Sequence, residues 1–288
     1  MHEIVSTTCS VSFWALFWYG ISKVINYKVE HPPVILKIED DKKRRKELQE
    51  YKASFSSLFH AFFLIGLTGY CIVAYGIKPN RSFSEVELLV IKVSFGYFIQ
   101  DTIEGLRAGY NDIWMTIHHV VMFTSFFQAF YYDNSASECF LSLFIGEVTN
   151  PFNIFRVQLD AKGRKSDSTM MGIYFSIIFV VARGIICPII AWWATINPNI
   201  SYILKLNCAA MLIISYLWIW KILNLGAKQI AEFLPNNTAA QQFYSTMKKL
   251  RKYQMFWNLG TGLISCLWVL LSLYYDLTGW PSRNTLKA

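Results

Sequence analysis

The chain has 288 residues, of which 54% are aliphatic, aromatic or cysteine and only 16% charged, with a net charge of +8 and a mean hydropathy of +0.31. That composition excludes an ordinary soluble domain, because several runs near or above 18 residues carry one charge or none, the mark of transmembrane helices. The cations gather in particular loops and not along a helix interleaved with stacking aromatics, so no nucleic-acid partner is expected.

In chain order the pattern predicts an all-α polytopic membrane protein with about eight spans. Span one is Ile4–Tyr19 running on to Ile25, span two Ala53–Ile77, span three Leu88–Leu106 and span four Ile113–Tyr132. Span five is Cys139–Phe155, the shortest; span six is Thr169–Ile196, span seven Ile200–Leu223 and span eight Met255–Tyr275. No basic n-region precedes span one, so it reads as a retained helix and not a cleavable signal. The loops after spans one, three, five and seven hold the basic residues, among them Lys42–Lys46, Arg107, Arg164 and Lys248–Lys252, while those after spans two, four and six are poor in them. A basic excess marks the cytoplasmic or matrix side, which puts both termini on the opposite one.

Two segments read as soluble helices. Lys37–Lys52 is charged on most faces; it is either a solvated helix beside the membrane or a contact for anionic headgroups. Ala227–Tyr253, around Pro235-Asn236-Asn237, mixes apolar and polar residues, fit for the membrane interface or for a protein partner. Asn80 and Asn199 begin glycosylation sequons that lie close to the membrane and are expected to stay unused. The six cysteines, Cys9, Cys71, Cys139, Cys187, Cys208 and Cys266, fall in or beside apolar runs without C-x-x-C spacing and read as small buried hydrophobes.

Ionisable groups inside a span mark function by default, and here they fall at one depth. At 1.5 Å per residue, counted from the basic loops, His60 lies about 10 Å deep, Asp101 about 9 Å, His118 and His119 about 8–9 Å, Glu147 about 13 Å and Asn150 about 9 Å. Ser94, Tyr97, Asp101 and Glu104 form one stripe of span three; Glu147 and Asn150 share a face of span five, with Asn153 nearby. Adjacent histidines point about 100° apart, so one of His118 and His119 is expected at a pocket and the other at a neighbouring helix. Pro151 denies a hydrogen bond to the Glu147 carbonyl and predicts a kink there. Arg183, halfway along span six, needs an acidic partner, Glu147 first and Asp101 next. The whole set reads either as a pocket wall or as a polar network locking helices together. No metal site is expected, since adjacent histidines are poor joint ligands and no thiolates join them.

These residues carry a family resemblance. Ser56-Ser-Leu-Phe-His60, Gly96-Tyr97-x-x-x-Asp101, His118-His119, Glu147-x-Thr149-x-Pro151-Phe152 with Arg156, Arg183 with Pro188, and Trp218-x-x-Lys221-Ile222 occur in the order found in TLC-domain proteins. The chain resembles that family over about residues 50–226, and resembles the members outside the ceramide synthases more closely than the ceramide synthases. The resemblance implies a six-helix bundle around a lipid pocket, flanked by residues 1–49 (an N-terminal span and basic loop) and 227–288 (an amphipathic linker and an extra C-terminal span). It implies His118 and His119 as catalytic candidates, with Asp101 placed to orient the imidazole; depth and spacing put His60, Tyr97, Glu104, Glu147, Asn150, Asn153 and Arg183 on the lipid pocket. The sequence VQLDAKGRK after Arg156 lacks the His-Asp-x-x-Asp run of a ceramide synthase, which argues against sphingoid-base acylation.

Two functions are therefore expected as alternatives. One is His-based acyl transfer to a lipid, with acyl-CoA as a substrate and no tightly bound cofactor. The other is non-catalytic lipid binding, as a subunit of a larger complex docked through 227–288. Membrane lipids are the partners in either case. The resemblance implies the endoplasmic reticulum or a related endomembrane; a complex subunit could equally sit in the mitochondrial inner membrane.

Overall fold

Hydrocarbon offers no partner to backbone N–H and C=O groups, so an apolar segment satisfies them within its own helix. The computed structural model, which describes residues 2–278 apart from 133 and 198, is helical throughout, with no strand among the described residues. The Cys266 side chain lies outside those residues; the other five cysteines are free.

Helix α1 spans His2–Lys28 and is followed by the single turn α2, Pro33–Leu36. Asp40 accepts from the Lys42 and Lys43 backbone amides and so starts α3, Asp41–Tyr75. Lys37–Lys52 had been expected as a separate helix. From Asp41 onward it is instead the first turns of α3, because no glycine or proline interrupts the chain before Gly66. Gly76, at φ +71°, ends α3. Ser84 and Glu87 form a reciprocal capping box at the head of α4, Glu85–Ala108, and Gly109 closes it in the left-handed region. Asp112 caps α5, Ile113–Tyr131.

The expected span five is two helices, α6 (Ala136–Glu147) and α7 (Asn150–Ala161), broken at the residues before Pro151. Span six begins as α8, Lys165–Val181, widens into a π turn at Ala182–Ile186 and continues as α9, Cys187–Ile196. Pro188 explains the widening. Its ring clashes with the carbonyl four residues back and it has no N–H to offer; the Cys187 amide bonds five residues back, to Ala182. Ser201 caps α10, Tyr202–Phe233, which runs ten residues beyond the expected end of span seven and stops before Pro235. Asn237 caps α11, Thr238–Leu250. A 3-10 turn then leads to α12, Gln254–Thr278.

By length and composition, three of the described helical runs can cross a membrane: α3, the continuous α8–α9 run and α10. A fourth is counted if α11 and α12, bent by 72°, are taken together. The remaining expected spans are helices that fall short of this measure. The reason is visible in the sequence: α4 carries Lys92, Asp101 and Glu104, and Pro151 cuts span five into two 12-residue pieces.

Helix α1 packs along α4, which is possible because position 96 is glycine: a Cβ there would stand 2.6 Å from the Ala15 backbone nitrogen. Trp18, Leu64, Phe95, Phe98, Phe126 and Phe140 fill the core between α1, α3, α4, α5 and α6. A second cluster, Phe175, Phe179, Ile219 and Ile222, joins α8 to α10. The loops at the predicted outer end are stitched together. Lys78 N donates to Ser137 Oγ at 3.0 Å, Ala136 N to the Arg81 carbonyl at 3.0 Å, and Asn197 Nδ2 to Asn80 Oδ1 at 2.8 Å. Beside them Arg81 grips the buried Glu87 carboxylate with both Nη groups, at 2.8 and 2.5 Å. Burial pushes the Glu87 carboxyl up, but the hydrogen bonds from Arg81 and Ser84 outweigh it and hold the group below its ordinary value.

Candidate functional site

A cavity of about 300 Å³ runs between α3, α4, α5, α6, α7, α8–α9 and α10. Its wall on α10 extends from Leu204 to Trp218, about 21 Å along the helix axis. Eight of the ten residues singled out in the sequence line it: His60, Tyr97, Asp101, His118, His119, Glu147, Asn150 and Arg183.

Two do not. Glu104 turns from the stripe towards α1, where its carboxylate accepts from Ser22 Oγ at 2.8 Å and Asn26 Nδ2 at 3.4 Å, and also from Gln100 Nε2. Asn153 is held by Arg156, one turn on, whose Nε and Nη2 donate to Asn153 Oδ1 at 3.2 and 3.1 Å. Both groups found local partners that face away from the cavity, which corrects their placement as lining residues.

The two histidines do not divide between a pocket and a neighbouring helix as expected; both line the cavity. His119, only 2% exposed, is held by α4. Its Nδ1 lies 2.7 Å from Thr102 Oγ1 and its Nε2 3.4 Å from Asp101 Oδ2. The Thr102 hydroxyl donates to the Phe98 carbonyl at 2.6 Å. A hydroxyl has one proton, so towards His119 it can only accept. With that bond kept, Nδ1 carries the imidazole proton and Nε2 presents a lone pair or, once protonated, a positive charge to Asp101; with the hydroxyl turned towards Nδ1, Nε2–H donates to Asp101 instead. His118 sets its ring near Trp218 and Phe98, with centroids 5.7 and 6.2 Å away, and its buried Nδ1 has no hydrogen-bond partner.

His60 sits deeper in the aromatic core than its neighbours in the layer. It stacks on Tyr97 at 3.8 Å between centroids, meets Trp18 edge-on at 5.6 Å, and lies 3.3 Å from Ser94 Oγ. Tyr97 donates to Ser57 Oγ at 2.9 Å, joining α4 to α3.

Arg183 stands in the π turn, 7% exposed. Its expected ion partner was Glu147, but its Nη2 donates to the carbonyl of Gly146 at 3.2 Å, and its Nε has no partner. Glu147 accepts instead from Asn150 Nδ2 at 2.8 Å. Position 146 leaves little room beside this bond: a Cβ there would stand 3.3 Å from the Arg183 Nη2 atom, a tight contact that a small shift of the arginine relieves. Among the described residues, no group of three or more His, Cys, Asp or Glu side chains is placed to hold a metal ion.

Thr102 and most of the α10 wall escaped the sequence reading. Leu204, Asn207 with its neighbour Cys208, Met211, Ser215 and Trp218 line the cavity from one face of α10, and the recurrence every three or four residues, with two polar groups in an apolar run, is the signal that marks it. Asn207 donates to Ser125 Oγ at 2.9 Å, tying that wall to α5.

The arrangement couples a carboxylate, an imidazole held at both ring nitrogens and a buried guanidinium around a largely apolar cavity. It can hold an apolar chain and move a proton beside it. Neither a curated protein nor a solved structure matches the chain. The sequence pattern of the TLC domain matches residues 50–224, more than half of the length and every residue that lines the cavity. The chain belongs to the TLC-domain family, a family of membrane proteins linked to lipid handling.

Proposed function

We propose that the protein binds the acyl chain of a lipid in this cavity, within a bundle of six TLC helices and about eight spans in all, and transfers acyl groups with His119 as general base. The observation that carries the reading is the Thr102–His119–Asp101 chain beside the cavity. The cavity wall, about 21 Å long on α10, exceeds half of a hydrocarbon core about 30 Å thick, so a chain of ordinary membrane length fits along it.

In this scheme Nε2 of His119 takes the proton from an attacking lipid amine or hydroxyl as that atom bonds to the acyl carbonyl carbon of a thioester. The imidazolium forms within reach of the Asp101 carboxylate. Arg183, with donors beyond the one spent on Gly146, steadies the oxyanion. The C–S bond then breaks and the thiolate leaves with the proton from His119, so charge and protons balance. His118 shapes the cavity beside the reacting carbon. The family's lipid-handling role supports placing the protein in the endoplasmic reticulum or a related endomembrane.

Native mass spectrometry of the purified full-length protein tests this, because it reads bound lipid, acyl adducts and protein partners together. The expected result is one retained lipid, and loss of transfer from an acyl thioester in H118A and H119A with the fold intact. Full transfer activity in the double variant would eliminate the catalytic reading. Co-purification in fixed stoichiometry with other subunits, through 227–288, would support the non-catalytic alternative.

A further inference from the structure

Helix α11 lies outside the matched domain and outside the cavity. It docks on α10 with one face: Met247 packs with Trp220 and Ala227, and Tyr244 joins the same cluster with Trp257. Ala240, buried one turn earlier, completes that face. The rest of the helix is uncovered. Phe243 and Leu250, seven residues apart and so about 20° apart around the axis, are both exposed. Lys248, Lys249, Arg251 and Lys252 are exposed as well. Lys248 and Lys249 follow Phe243 by five and six residues, which places them about 140° and 120° from it. The helix therefore has an inward face, an apolar flank and a basic flank opposite.

Charge on this segment is one-sided. No acidic residue occurs from Phe233 to Tyr275, and the nearest acid upstream, Glu232, is 3.5 Å from Lys228. The axis of α11 is turned by 72° from that of α12. If α12 crosses the membrane, α11 runs close to the membrane plane, at the side that the basic loops mark as cytoplasmic or matrix. An apolar flank opposite a basic one, on a helix in that plane, is the pattern of a segment seated among lipid headgroups.

We infer that α11 is an interfacial helix that binds the anionic phospholipid surface of the inner leaflet, with Phe243 and Leu250 immersed and Lys248, Lys249, Arg251 and Lys252 on the lipid phosphates. The inference is independent of what the cavity does, since none of these residues lines it.

The test is hydrogen–deuterium exchange of residues 238–253 in the full-length protein, reconstituted in discs of phosphatidylcholine alone and of phosphatidylcholine mixed with phosphatidylserine. Backbone exchange should be at least tenfold slower in the anionic discs, from basic residues that each attract the surface, and the difference should shrink in high salt. The K248Q/K249Q/R251Q/K252Q variant should exchange alike in both discs, and F243S/L250S should exchange faster in both. Equal exchange of the wild type in neutral and anionic discs would overturn the inference, a comparison that does not depend on any variant folding. So would a lipid difference that survives in the four-residue charge variant, or protection that is acquired only when another protein is bound.

Discussion

Replacing Thr102 by valine removes one oxygen and almost no volume. The Phe98 carbonyl loses an extra donor but keeps its helical one, so that end costs little. The His119 Nδ1 proton loses its acceptor inside a residue that is 2% exposed, and an unsatisfied buried donor costs about 1–3 kcal/mol. The ring escapes that cost by moving the proton to Nε2, which then donates to Asp101, now 3.4 Å away. T102V should therefore lower stability by no more than about 1 kcal/mol, the net value of one hydrogen bond, while reversing the tautomer. Nitrogen-15 shifts of the imidazole in the full-length protein read that reversal directly. If His119 is a general base through Nε2, the reversed ring has no lone pair to offer there, and turnover should fall by about 10²–10⁴, the usual worth of general-base catalysis. T102S keeps the oxygen and should restore both tautomer and turnover. An Nδ1-protonated His119 in T102V, with unchanged turnover, would refute the reasoning.

Further outcomes follow from the packing. R81M strands the Glu87 carboxylate, which has no exposed side-chain surface, and should cost about 3–5 kcal/mol in denaturation; the E87Q/R81M pair should recover much of the loss. Because the folded-state Glu87 carboxyl is held below its ordinary value by Arg81 and Ser84, its contribution is full above that ordinary value and is lost as pH falls through the lowered one. A stability profile flat across that acid range would contradict the assignment. G96V puts side-chain carbon against the Ala15 and Trp14 backbone and should destabilise the α1–α4 crossing by about 1–3 kcal/mol, read as a lower unfolding midpoint. D40A removes the acceptor for the Lys42 and Lys43 amides, so amide exchange should quicken at the start of α3 and nowhere else.

Much of the layer was legible because depth in a helical membrane protein is a linear count. Asp101, His118, His119, Glu147 and Asn150 come from four helices, yet counting from basic loops set them level, and all five line one cavity. Rotation about each axis was harder. Glu104 belongs to the Asp101 stripe by spacing, but Ser22 and Asn26 on α1 offer it hydrogen bonds, and nothing local to α4 announces α1 as a neighbour. Asn153 was drawn away by Arg156 in its own helix. Thr102 was hidden by its adjacency to Asp101; only its bond back to Phe98 aims its oxygen at His119. The all-helical class was read from the apolar runs, but among the described residues three of the eight expected spans, or four with α11 and α12 together, are long and apolar enough to cross a membrane. Of the three charges that make α4 a poor span by composition, only Asp101 lines the cavity; Pro151, which cuts α6 from α7, sets the break between Glu147 and Asn150, both of which line it.

The π turn at Arg183 has a geometric effect beyond the arginine. The cavity residues on this wall are Phe179, Arg183, Cys187, Ile190 and Ala191. Along an unbroken α-helix, the twelve residues from Phe179 to Ala191 overshoot whole turns by about 120°, which would carry the last of them round to a different side. A π turn absorbs one residue, and with it about 100° of rotation. The far end of the wall is thereby brought back to within about 20° of its start. One surplus residue, forced by Pro188, keeps a lining of about three turns in phase; P188A, which lets the run close up as an unbroken α-helix, should dephase half of it without touching any side chain that faces the cavity.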